Sequence, residues 1–174
     1  IKKNLSSLDK NTIYLTSQSF GPTDVPRWKR EQFPSVNYEE YQTLKNSLPD
    51  AEEMAFQFFV GRESAKYDSK TVSDINVVPV SHEFTTIQQL DFAKGRFYNE
   101  SESNSGATVA VIGDEIANVL FENADPIGKQ IRLYGKRFTV IGILKKEGSS
   151  MFDSNDSSIF IPVNFIRIAF GENN

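Results

Sequence analysis

The stretch from Ala107 to Val163 limits the fold more than any other part of the chain. It begins ATVAVIGDEIANVLFENADPIGKQIRLYGKRFTVIGILKKEG and, after a polar loop, closes with SSIFIPV. Val109 to Ile112 is a short apolar run that reads as a buried strand. Asp114 behind it is placed to cap a helix carrying Ile116, Val119 and Leu120. In Asp125-Pro126-Ile127-Gly128, proline fixes φ and glycine admits positive φ, so a stiff turn is expected. Ile131, Leu133, Phe138 and Val140 alternate about Gly135-Lys136, and glycine at the first central position predicts a type II′ hairpin. Ile159, Ile161 and Pro162 then end the sheet. Nothing in this stretch is a recognisable catalytic group.

The first half is less regular. Thr12 to Thr16 has strand composition, and the proline-containing segment from Gly21 to Pro34 reads as a long surface excursion. Asn37 stands three residues before Glu40, a capping-box spacing, and Tyr38, Tyr41, Leu44 and Leu48 follow at helical intervals before Pro49. Met54 to Val60 is apolar at most positions and predicts a central strand. Ile75 to Val80 predicts another, with Pro79 marking an edge or a strand end, and a polar connection joins the two. Thr85-Thr86-Ile87-Gln88 reads as a cap opening a short helix. Asn99 to Gly106 and Gly148 to Ser158 read as solvated loops, the latter mobile, and Phe165 to Phe170 begins a helical or interfacial segment.

Composition removes several classes of function. A net charge of −4 argues against broad nucleic-acid binding, which needs a basic face to displace counterions. With no cysteine there is neither a disulfide framework nor a Cys-based zinc site. No apolar run approaches the roughly 20 residues that a membrane-spanning helix needs. The start at Ile1-Lys2-Lys3, without methionine or a signal-peptide pattern, reads as a fragment of something longer.

His82 is the single histidine, and a triad or a histidine metal site is hard to build from one. There is no Gly-x-Ser-x-Gly elbow and no Walker phosphate loop; Gly128-Lys129 is followed by Gln130. Asp153, Asn155 and Ser157 faintly follow a calcium-loop start, but Ser158 stands where glycine is needed and Asn164 where the closing glutamate would be. Glu40 is explained by helix capping. Trp28, inside Arg27-Trp28-Lys29-Arg30, suits either a partner contact or the rim of a core. Arg96 reads as a buried ion-pair partner locking one loop. Gly113 and Gly142 mark places where backbones approach closely. No residue is assigned as catalytic, cofactor-binding or metal-ligating.

Several short elements, in order, resemble the periplasmic core domain of MacB-type ABC transporter permeases, the MacB/FtsX-type family that includes lipoprotein-releasing permeases. They are Leu90 with Gly95-Arg96-Phe97, Val109-Ala110-Val111-Ile112-Gly113, Leu120-Phe121, Asp125-Pro126-Ile127-Gly128-Lys129, Phe138-Thr139-Val140-Ile141-Gly142 and Ile161-Pro162. The residue pattern predicts an α+β fold with mixed or antiparallel sheets and helices packed on one face. The resemblance implies one extracytoplasmic domain over 1–174, with a porter-like βαβ-containing part (1–84 with 158–174) and a smaller mixed part (85–157). It implies further elements after the Ile161-Pro162 strand, so the chain ends at Asn174 either by truncation or because this branch has a shorter domain.

It also implies a non-catalytic, cofactor-free role at the bacterial cytoplasmic (inner) membrane, on its periplasmic side. There the domain would transmit ATP-driven motion in efflux or lipoprotein release. Implied partners are an ABC ATPase subunit acting through the transmembrane region, a second permease copy, and a periplasmic adaptor protein or lipoprotein. The competing reading is a secreted or surface-anchored ligand-binding module, which requires a pocket of converging polar groups.

Overall fold

The computed structural model describes residues 37–48, 51, 53–58, 60–147 and 155–171. The expectations for Thr12 to Thr16, for Gly21 to Pro34 with Trp28, and for residues 148–154 lie outside them. The chain divides into two compact units, Ile1–Glu52 and Glu53–Asn174. In the first, α1 (Tyr38–Ser47) opens with the expected capping box. The Glu40 amide donates to Asn37 Oδ1 at 2.8 Å and the Asn37 amide to Glu40 Oε2 at 3.0 Å.

The second unit is built on seven strands. They are β1 (Glu63–Tyr67), β2 (Lys70–Val80), β3 (Phe92–Gly95), β4 (Val109–Ile112), β5 (Gln130–Leu133), β6 (Lys136–Leu144) and β7 (Ser158–Pro162). The helices are α2 (Phe84–Gln88), α3 (Glu100–Ser105), α4 (Asp114–Phe121) and α5 (Val163–Phe170), with a 3-10 turn at Asn155–Ser157. The strand order is β3-β6-β4-β7-β2-β1-β5, and β5 also pairs with β6. The pairings therefore close on themselves, with β3 added along the far half of β6. Parallel pairs (β2 with β7, β4 with β6) and antiparallel pairs coexist. The structure thus has the mixed sheet and accompanying helices that the sequence predicted.

Each face of the sheet carries its own apolar cluster. One joins Ile75, Val77, Ile112, Ile131, Phe138, Val140, Ile159 and Ile161 to Ile116 and Leu120 of α4 and Phe165 of α5. The other gathers Val78, Val80, Phe97, Tyr98, Val111, Leu144 and Phe160, with Phe84 of α2 against it. Alternation along the end of β2 from Val77, along β4 and along β7 sends successive side chains to the two clusters in turn, which is why these segments are apolar at nearly every position.

Several expectations are corrected. Met54 to Val60 is not assigned as a central strand: among its described residues Gln57 bridges Val80, beside bonds from the Phe58 amide to Pro79 and from the Ser81 amide to Phe56. The supposed polar connection instead holds β1 and the first half of β2, paired as a hairpin. Alternation was hidden there because the outer face is solvated, leaving Ala65 and Ile75 as its fully buried residues. Pro79 lies one residue from the end of β2, as a strand-end proline should.

Asn99 to Gly106 is not a loop but α3, closed by its own capping box and by Gly106 at φ 64°. Asp114 does not cap α4; Gly113 holds that position, and Asp114 Oδ2 instead accepts from Asn118 Nδ2 at 2.9 Å. Val119 faces outward at 48% exposure. Thr85 lies inside α2, which has no side-chain cap. The hairpin turn is Tyr134-Gly135 with φ of 52° and 69°, so positive φ falls at both central positions, the type I′ pattern rather than II′.

Candidate functional site

The polar groups that the fold holds most firmly sit where the chain passes from β3 into α3. Gly95, at φ 72°, lets β3 press against the Ile141–Gly142 backbone of β6. Arg96 follows and forks onto Glu102, with Nη1 to Oε2 at 2.7 Å and Nη2 to Oε1 at 2.8 Å. The same Nη1 donates to the Phe97 carbonyl. Glu102 also accepts from the Asn99 amide while Asn99 Oδ1 accepts from the Glu102 amide, so one carboxylate serves both the cap and the ion pair. The Arg96 hydrogen bond holds the Glu102 carboxyl below its ordinary range. The expected locking pair is therefore present, but at the surface rather than buried: the Arg96 side chain is 54% exposed.

Tyr98 turns inward from this corner. Its hydroxyl lies 2.8 Å from the Val80 carbonyl and 2.9 Å from that of Ile161, at the ends of the parallel strands β2 and β7. Having one proton, the hydroxyl shares its donation between the two carbonyls. Burial, reinforced by the nearby Glu83 carboxylate, pushes the phenol well above its usual pKa. Tyr98 is thus a neutral clasp on two strand ends and not a proton-transfer group near neutral pH.

A second tie lies at the other end of β7. The Asp156 side chain accepts from the Glu147 amide at 2.9 Å, and the Glu147 carboxylate takes the Asn155 amide and Nδ2, both at 3.0 Å. Asn155 and Ser157 belong to this 3-10 turn and Ser158 already to β7, so the faint calcium-loop spacing is a structural clasp. Gly113 packs against the Asn155 and Asp156 carbonyls. Among the described residues no group of three or more His, Cys, Asp or Glu could hold a metal ion.

The remaining marked residues do not converge. The Asp125–Gly128 turn is tied to β6 by bonds from the Gly128 amide to Val140 and from the Val140 amide to Lys129, each 2.8 Å. His82 Nδ1 stands 3.4 Å from Glu83 Oε2, while Ser81 Oγ accepts from the Phe56 amide at 2.9 Å. Ser81, the chain neighbour of His82 on the exit from β2, fastens that strand end to Phe56 through its amide and its hydroxyl. The signal for α3 could have been found by sequence reading, because Asn99 and Glu102 repeat the spacing that identified α1. The Tyr98 clasp could not: its acceptors are 18 and 63 residues away.

The chain belongs to the family of MacB-like periplasmic core domains, whose model matches residues 1–174. It is similar to the macrolide export ATP-binding/permease protein MacB of Bdellovibrio bacteriovorus, 28% identical over 163 residues covering 94% of this chain and 25% of that protein. It is also similar to the pyoverdine export ATP-binding/permease protein PvdT of Pseudomonas aeruginosa, 37% identical over 94 residues, 53% of this chain and 14% of that protein. Among solved structures, the extracellular domain of the ABC-type transporter YknZ from Gram-positive bacteria superposes with a TM-score of 0.67 at 25% identity. That match covers 79% of this chain and 68% of the other. The periplasmic region of MacB from Actinobacillus actinomycetemcomitans shares the fold, with a TM-score of 0.69 at 16% identity over 85% of this chain and 64% of the other. The chain spans a quarter or less of the length of the two curated export proteins. No helix among the described residues is long and apolar enough to cross a membrane.

Proposed function

We propose that this chain is the non-catalytic extracytoplasmic domain of an export-type ABC transporter permease, relaying ATP-driven motion to substrate or partner proteins outside the cytoplasmic membrane. The observation that carries the reading is the match of the MacB-like periplasmic core domain to residues 1–174. The sheet supports it physically. A relay must move as a body, and the strand ends of this unit are cross-tied by Tyr98, by Asp156 with Glu147, and by the Arg96–Glu102 fork. The names of the MacB and PvdT relatives favour export over lipoprotein release. In this reading ATP is hydrolysed by an ABC ATPase domain or subunit coupled through the transmembrane region. A second permease copy stands opposite, and an adaptor protein receives the movement. The division into a porter-like part (1–84 with 158–174) and a smaller part (85–157) belongs to the same proposal.

The test uses the parent transporter with a spin label at exposed Glu115. Label distances between the two copies should shift when a non-hydrolysable ATP analogue binds. Identical distances with and without nucleotide would remove the relay. ATP hydrolysis by this chain alone would remove the non-catalytic assignment.

A further inference from the structure

The register of three strands lines up positive charge. Lys66 of β1 is the direct partner of Arg132 of β5, and Arg132 is the direct partner of Arg137 of β6. Directly opposed residues project from the same face, about 5 Å apart. All three side chains are exposed, and none forms an ion pair within the described residues. Thr71 of β2, opposite Lys66, extends the row with a hydroxyl. Like charges in direct opposition destabilise a sheet. Here they occupy the sole register pair joining β1 to β5, the joint through which the ring of strands closes. A chain of net charge −4 has acids to spare, yet only Glu63 lines the shallow groove over this row. Breaking a local rule at the weakest joint, with no compensating partner, is characteristic of a surface kept for a ligand.

Beside the row, at the β5–β6 turn, stand aromatic side chains. Tyr134 lines the same groove as Lys66 and Arg132, and its ring meets Phe170 of α5 edge-on at 5.5 Å. Phe170 is 59% exposed and Ile168, two residues before it, 71%. A row of exposed long cations flanked by exposed aromatic and aliphatic side chains matches a lipid surface. Phosphates meet the cations there, and the apolar side chains reach the acyl boundary. We propose that Lys66, Arg132 and Arg137, with Tyr134 and Phe170 beside them at the β5–β6 turn, form a docking face for a membrane surface of anionic lipids. The acidic remainder of the chain would be repelled from such a surface, so binding would orient the domain with this face inward.

The test is co-sedimentation of the whole chain with vesicles of phosphatidylglycerol and phosphatidylcholine, against vesicles of phosphatidylcholine alone, at low and high salt. Binding should require the anionic lipid and weaken with salt. Each neutralised cation should lower it about fivefold, and Lys66→Gln/Arg132→Gln/Arg137→Gln together about 100-fold. Phe170→Ser should weaken binding while leaving the salt dependence in place. The triple variant should melt at or above the parent temperature, because it relieves the repulsion at the β1–β5 joint; this separates lost binding from lost folding. Equal binding to both vesicles, or an unaffected triple variant, would overturn the proposal. So would capture of a polyglutamate peptide by a chain that ignores vesicles, which would make the face a site for an acidic protein segment. None of these outcomes bears on whether the domain relays motion.

Discussion

Gly95 and Gly142 are register partners across β3 and β6, and neither has room for a side chain. A Cβ on Gly142 would overlap the Arg96 carbonyl oxygen, and one on Gly95 would overlap that of Ile141. The obstacle is backbone on both sides, so nothing can swing away. The contact sets the position of Arg96 and, through it, the start of α3.

Gly142→Ala should therefore destabilise the domain by about 3 kcal/mol, the upper range for forcing extra volume into a packed interior. Urea unfolding checks this. A variant with an unchanged midpoint would show that β3 can lift from β6 without penalty.

Gly128→Val should cost less, about 1–2 kcal/mol, and for a different reason. Gly128 has φ 80° with open space where a Cβ would stand, so the penalty is conformational and not steric. If thermal melting ranks Gly128→Val as more damaging than Gly142→Ala, the separation of the two causes fails.

Tyr98→Phe should cost about 1–3 kcal/mol near neutral pH, because buried carbonyls lose their donor. The folded pKa lies above the unfolded value of about 10, so the tyrosine's contribution is complete below that pH and is lost as pH rises beyond it. Melting temperatures of the two proteins should therefore converge on the alkaline side. Parallel curves up to strongly alkaline pH would contradict the clasp.

Asn99→Ala should lose about 1 kcal/mol as the capping box opens. Glu102 has its folded pKa below the ordinary 4.5, chiefly through the Arg96 hydrogen bond, so its contribution is present above pH 4.5 and declines as pH falls below it. Glu102→Gln should flatten the acid limb of the stability curve. The effect is expected to be modest, because Arg96 is half exposed and solvent screens the pair. An acid limb identical to that of the parent would show that the fork contributes nothing.

Local chemistry was legible at several places where it acts over a few residues. The Asn37–Glu40 box, the apolar run Val109 to Ile112, the alternation from Ile131 to Val140 and the positive φ of Gly128 all follow from side chains within one or two turns of each other. The ordered short motifs from Leu90 to Pro162 carried the family as well, since each is a turn or strand whose residue types the backbone requires.

What the sequence alone could not decide was pairing. Nothing local in Met54 to Val60 tells an apolar central strand from a segment laid along a strand end; that depends on which neighbour claims the β2 backbone, and β1 with β7 claimed most of it. Tyr98 became a clasp only when parallel β2 and β7 brought the Val80 and Ile161 carbonyls together. Lys66, Arg132 and Arg137 became one row only through antiparallel register, which a shift of one residue would have scattered to opposite faces. Residue type determined several of the elements and turns of this protein. Long-range hydrogen bonding, which closes rings of strands between distant residues, decided which side chains meet.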